Sequence, residues 1–381
     1  MIIIFAGSIG RFPVGGHAWV DLQYLLGLRT LGHTVYYLEE CGEESWVYNW
    51  ETEQFTTKLD YPTNYVRNCL EPLGFGKRWI YRAGEHSVGM SVGKFLEVCS
   101  QSDLMIVRGS PISLWRDEYG WSQRCIYIDS DPGFTQFSLV NGNSELAATV
   151  ERCHHLFTVG QRIGAVDCPI PKASRHWHKM VPPVSLPHWS IAEDKRATYF
   201  TTVMQWRSYK EVVYRGTSYG NKDKEFPKFI DLPQRTEQPF RIALTGDYSI
   251  PDKLSQYGWE VVPGWVTSFT SESYQKFVHT SRAEFGVAKH GYVATQGGWF
   301  SDRSVCYLAS GKPVLVQDTG LSDWLPIGEG ILTFHDLLEA VNGVEAINAD
   351  YERHRHAARR LAEEYFDSNK VLSSLLEVAM S

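Results

Sequence analysis

Short runs of consecutive apolar residues alternate along this chain with stretches whose apolar residues recur every three to four positions, the pattern of buried strands separated by helices. Residues 1–6 are wholly apolar and predict a strand covered on both faces. A glycine-rich loop follows over 7–17. Val20, Leu22, Tyr24, Leu25, Leu28 and Leu31 then mark a helix over 19–31. Gly32 ends it, and 33–38 reads as a second strand, completing a β-α-β unit. Further strands are expected at 104–107, 125–128 and 156–159.

The Pro-rich segment 181–187 is extended and predicts a linker. Beyond it the pattern repeats, with strands at 197–204, 240–246, 259–263 and 283–288, a helix at 273–281 and a long terminal helix at 351–377. The most informative stretch is 297–320. Gly297 and Gly298 open a loop, Ser301 is a good N-cap, Asp302 falls in the first turn, and Val305, Leu308 and Ala309 form an apolar face. Gly311 fits the position just past the helix, and Pro313 stops it from continuing. Residues 314–316 are a buried strand, and Asp318 and Thr319 follow in a polar loop. The whole predicts an α/β protein of two doubly wound units, residues 1–185 and 190–350, with a C-terminal helix in 351–381.

Several side chains in this frame could carry chemistry. A helix N-terminus opening on a glycine-rich loop is an anion site, so the backbone of Ser301, Asp302, Arg303 and Ser304 is the candidate cradle for phosphate, with the Ser304 hydroxyl as an extra donor. The loop 7–17 lacks the G-x-G-x-x-G spacing of a dinucleotide site. His17 is a candidate proton acceptor. Asp129 and Asp131 follow the strand at 125–128, where a carboxylate orienting that histidine would sit; Asp21 is a second candidate partner. The plain alternative is that Asp131-Pro132-Gly133 is only a turn and His17 a neighbour of the helix start. His154-His155 and the pair His176, His178 lack the spacing of a chelating face, so no metal site is expected.

Composition adds limits. Length 381 fits two domains with ample core, and 43% hydrophobic and 21% charged residues are ordinary for a globular protein. A net charge of −7 with acids and bases mixed argues against a nucleic-acid partner. The 13 Trp and 20 Tyr supply core and leave rings for a crevice where sugars or an aromatic acceptor would stack. Seven cysteines without a C-x-x-C pair predict reduced thiols rather than a disulfide or zinc framework, and hence a cytoplasmic protein. The first apolar run is too short for a signal peptide, and none approaches the roughly 20 residues of a membrane span.

The segment Ala309-Ser310-Gly311-Lys312-Pro313-Val314, with Asp318-Thr319 beyond, resembles the donor-binding segment of GT-B glycosyltransferases. The stretch from Gly16-His17 to Leu31-Gly32-His33-Thr34-Val35 resembles the N-terminal part of the inverting, natural-product type. The resemblance implies two Rossmann-like domains facing a cleft, and transfer of a sugar from a UDP-, TDP- or GDP-sugar to a small-molecule or glycan acceptor. It implies His17 as general base behind an acceptor loop containing Gly15 and Gly16, Arg207 and Lys210 at the donor phosphates, Asp318 and Thr319 at the sugar, no metal and no bound cofactor, and a terminal helix that crosses back to the first domain. The family's ribose-binding Glu falls on Cys306 and its earlier Glu on Gly298, which leaves Asp302 as the nearest carboxylate. A nucleotide-sugar 2-epimerase and an inactive nucleotide- or sugar-binding module are the alternatives.

Overall fold

The computed structural model describes every residue except 111, 193–195, 209 and 248. In spatial order its first sheet runs His178–Lys179, His155–Thr158, Arg124–Asp129, Leu104–Arg108, Ile2–Ala6, Thr34–Glu40, Trp79–Ala83 and His86–Gly89. All neighbours are parallel except the last pair, an antiparallel hairpin. Ile3, Ile4 and Phe5 have no exposed surface, as parallel strands between helical layers require. The second sheet runs Glu260–Pro263, Phe240–Thr245, Phe200–Gln205, Ala283–Gly286, Val314–Gln317 and Ile331–Phe334, and is parallel throughout. This is an α/β chain with two doubly wound sheets. Loops at the C-terminal edges of both line a common cleft.

Three departures from the sequence pattern matter. The first helix spans Gly15–Thr30, so His17 lies inside its first turn. It starts early because Gly15 and Gly16 carry no side chains. A Cβ on Gly15 would sit 2.1 Å from the Thr270 carbonyl oxygen, and one on Gly16 would sit 2.9 Å from the Tyr274 ring. The helix start is thereby pressed onto the second half of the chain, where Gly15 N–H donates to Ser268 O at 2.9 Å and Trp19 Nε1–H to Ser271 O at 2.8 Å.

The long terminal helix is broken. Tyr351–Leu361 runs into a wide turn, Ala362–Phe366, and a new helix, Ser368–Ala379, starts at Asp367, whose carboxylate caps the Asn369 N–H at 3.0 Å. The break lets the linker cross: Val184 N–H donates to Phe366 O at 2.7 Å, and Ser368 N–H returns a bond to Val184 O at 2.9 Å. The last helix lies on Gly15–Thr30, where a Cβ on Gly27 would meet Leu372 at 2.6 Å. The third departure is an aromatic hairpin, Val47–Asn49 with Gln54–Thr56, that the pattern did not mark.

Candidate functional site

One wall of the cleft is the loop after Ile2–Ala6 and the start of the first helix. Ser8 N–H donates to Asp21 Oδ2 at 2.9 Å, and Ser8 Oγ shares a hydrogen bond with His17 Nε2 at 2.8 Å. Gly7 must be glycine, since a Cβ there would lie 2.2 Å from Asp21 Oδ2. Asp21 also pairs with Arg108, at the end of the strand Leu104–Arg108, and Arg108 Nη1 reaches Ser130 Oγ at 3.3 Å. Glu39 holds the loop by accepting from the Gly10 N–H at 2.8 Å, the Arg11 N–H at 2.6 Å and the Tyr37 hydroxyl at 2.8 Å; burial still pushes its carboxyl up to about 7. Desolvation, helped by the Arg108 charge, pulls His17 down to about 4, so its ring is neutral at pH 7.

The facing wall is the N-terminus of the helix Asp302–Ala309, capped by Ser301 Oγ, which accepts from the Arg303 N–H at 3.2 Å. Arg303 reaches back under the helix, with Nε donating to Glu284 Oε1 at 2.5 Å and Nη1 to Val203 O at 2.9 Å. Lys222 enters from the short turn Lys222–Lys224 and is only 9% exposed. No carboxylate pairs with its ammonium among the described residues. Burial, with Arg303 and Lys289 nearby, holds its pKa well below the usual lysine range. Lys289 is paired with Asp131 at 3.3 Å, and Asp131 also accepts from the Tyr292 hydroxyl. The cleft has two lobes of about 330 and 540 Å³ that share Phe12, His17, Asp302 and Arg303 among their walls. The larger also holds Arg108, Asp131, Lys222 and Lys289.

Thus Ser301, Asp302, Arg303, His17 and Asp131 come together at the cleft, with Gly16 in the wall of its smaller lobe and Gly15 at the contact between the two halves. Asp129 turns the other way. It is fully buried and accepts from Thr135 Oγ1 at 2.6 Å, Gln136 Nε2 at 2.8 Å and Thr158 Oγ1 at 2.7 Å, which braces the loop after its strand. The carboxylate linked to His17, through Ser8, is Asp21. Arg207 is exposed and paired with Asp223 at 2.7 Å, and Lys210 is exposed. Ser304 Oγ is buried without a partner in a small cavity beside Gly286 and Val316. Asp318 accepts from the Leu321 N–H at 3.0 Å and lies 3.3 Å from the His335 ring, and Thr319 Oγ1 donates to Trp299 O at 2.5 Å; both are buried in their own turn. Cys306 is buried against Gln23 Nε2 at 3.7 Å.

Asp302 is half-buried, and desolvation pushes its carboxyl up to about 6, against the pull of Arg108. A carboxyl raised above its unfolded value favours folding when protonated, and that advantage is lost as pH climbs from about 4 to about 6. Asp302→Asn should therefore raise the melting temperature at pH 7 and match wild type below pH 4. Thermal unfolding at both values checks this, and a variant less stable at pH 7 would mean that the carboxylate is paired in the native state.

The sequence places Lys289 in the crevice after the strand at 283–288, as found, but its reading missed Arg108, Lys222 and Glu284. Arg108 and Glu284 belong to buried strands, and a charge in such a run is itself a signal that the side chain is paired or functional. Lys222 follows a surface hairpin with nothing local to mark it.

No protein-family model and no curated protein sequence matches the chain. Solved structures do match it over their whole length. An alpha-glucosyltransferase superimposes with a TM-score of 0.63 both in complex with UDP (11% identity) and with UDP plus a 13-mer DNA containing an A:G mismatch (12% identity), covering 100% of this chain and 99% of the other. HepE from Anabaena, in complex with UDP and glucose, gives 0.60 at 12% identity, covering 99% of each chain. A sucrose-phosphate synthase from Thermosynechococcus elongatus gives 0.55 at 12% identity, covering 99% of this chain and 98% of the other. The fold is GT-B. In this GT-B chain the helix N-terminus at Asp302 and the cations Lys222 and Arg303 sit on the cleft side of the C-terminal sheet, and His17 faces them from the N-terminal one.

Proposed function

We propose that this protein transfers a sugar from a nucleotide-sugar, in the first instance a UDP-sugar, to an acceptor hydroxyl or amine. The observation that carries this is Lys222: a buried amine paired with no carboxylate among the described residues, beside Arg303 and a helix N-terminus that faces the cleft, is a site that would take up a proton and hold a doubly charged anion. The acceptor atom bonds to the anomeric carbon, the bond from that carbon to the phosphate oxygen breaks, and its electron pair leaves with the diphosphate. Lys222, Arg303 and the helix amides stabilise that charge, so the reading needs no metal. His17, neutral and on the opposite wall, takes the acceptor proton. That the structurally similar alpha-glucosyltransferase and HepE hold UDP supports the choice of donor.

The test is Lys222→Met. A methionine fills the same space without charge, so the fold should be at least as stable, while the affinity for UDP falls by about 1.5–3 kcal/mol, the size of a charged hydrogen bond. Because burial favours the neutral amine and a bound anion favours the ammonium, wild-type binding should take up protons and weaken as pH rises; the variant should show neither effect in calorimetry across buffers. Equal UDP affinities in the two proteins would move the diphosphate elsewhere. In the same assays, isomerisation of the donor without an acceptor would identify an epimerase, and binding without turnover an inactive module.

A further inference from the structure

The hairpin between residues 46 and 56 carries four aromatic rings, two of them exposed and two half-buried. Trp46 is 61% exposed and Phe55 66%. Tyr48 packs edge-on against both Trp50, at 4.6 Å between ring centres, and Phe55, at 5.3 Å, so these three rings hold one another in a platform, and Trp46 beside them donates Nε1–H to Glu44 at 2.9 Å. Val47 is buried and anchors the strand. The platform leaves the C-terminal end of Thr34–Glu40, the same sheet edge that supplies the cleft. Two contacts tie it to the glycine-rich loop. Trp50 N–H donates to the Tyr61 hydroxyl at 3.2 Å next to Pro62, whose carbonyl lies 3.1 Å from the Cβ position of Gly10; Ser45 Oγ bonds to Tyr81 at 2.6 Å, whose ring also abuts Gly10.

Its charge excludes an anionic occupant, and its rings favour a sugar. Residues 43–60 contain Glu43, Glu44, Glu51, Glu53 and Asp60 against Lys58 alone. A phosphodiester backbone or an anionic lipid surface binds through lysine and arginine and would be repelled here. A neutral sugar polymer has the matching chemistry: its C–H faces stack on exposed rings, and its hydroxyls donate to carboxylates. We propose that this hairpin is a docking platform for a neutral oligosaccharide, which extends the proposed transferase reading by naming the acceptor class. The chain would rest on the rings with one end directed past Phe12 into the cleft.

Intrinsic tryptophan fluorescence and calorimetry of the full chain with hexasaccharides of α-1,4-glucose, β-1,4-glucose, β-1,4-xylose and β-1,4-N-acetylglucosamine test this, with UDP titrated in parallel. At least one hexasaccharide should bind. The double variant Trp46→Ala, Phe55→Ala should weaken it about tenfold, the scale of a lost aromatic contact, with UDP binding unchanged. Both residues are exposed, so the variant should melt with wild type. Failure of all four sugars, or equal binding by the variant, overturns the proposal. So does a 13-mer DNA duplex, or a vesicle with one-quarter phosphatidylserine, that binds wild type and is lost in the variant. UDP failing to bind wild type would instead sink the transferase reading, while sugar binding still reports on the hairpin.

Discussion

Asp21→Ala should cost the fold about 3–5 kcal/mol, the penalty for leaving one partner of a buried ion pair uncompensated. Asp21 has no exposed surface, and it is the carboxylate that pairs with the Arg108 guanidinium. Without it Arg108 keeps, among the described residues, the 3.3 Å contact to Ser130, its Nη2 already being buried without a partner there. The Ser8 N–H loses its acceptor as well, which frees the loop that holds His17. Chemical denaturation should show a lower midpoint with an unchanged slope. The double variant Asp21→Ala, Arg108→Met removes the stranded charge and should recover part of the loss, because replacing both members of a buried pair costs far less than removing one. A single variant as stable as wild type would mean that water reaches Arg108 and that the pair is not dry.

Local chemistry explains what was legible in the chain. The helix at Asp302 begins and ends where its own residues dictate: Ser301 caps it, Gly311 adopts a φ of +69° just past it, and Pro313 turns the chain into Val314–Gln317. The strands that are apolar without interruption were equally plain. Side-chain direction was not. Asp129 stands at the end of a strand, where a cleft carboxylate is expected, but Thr135, Gln136 and Thr158 draw it inward. Arg207 follows the first strand of the second sheet and still points to solvent, because Asp223 on the neighbouring turn holds it there. Lys222 lies one residue from that aspartate in sequence and points the opposite way, into the cleft. Which of two adjacent charges faces a ligand depends on how a turn is seated on the sheet, and no local spacing encodes that.

His17→Ala should lower turnover by about 10²–10⁴-fold while leaving UDP affinity nearly intact, the usual worth of a positioned base. The pH dependence makes the assignment specific. A base must be unprotonated, and His17 in the free protein is pulled down to about 4 by desolvation and Arg108. The acid limb of kcat/KM, which reports the free enzyme, should therefore fall near pH 4 rather than near 6.5, and be missing in the variant. A limb near 6 that vanishes in Asp302→Asn would transfer the role to that carboxyl. Bound diphosphate adds negative charge across the cleft and should raise the histidine, so the limb in kcat should lie above the limb in kcat/KM. Stability gives an independent reading of the same group. The unfolded chain takes up a proton below about 6.5 that native His17 refuses until about 4, so acidification through that window favours unfolding, and His17→Ala should be less acid-sensitive than wild type. If the variant shows that stability change yet turns over like wild type, the residue is neutral and packed as described, and the acceptor proton leaves on the donor phosphate instead.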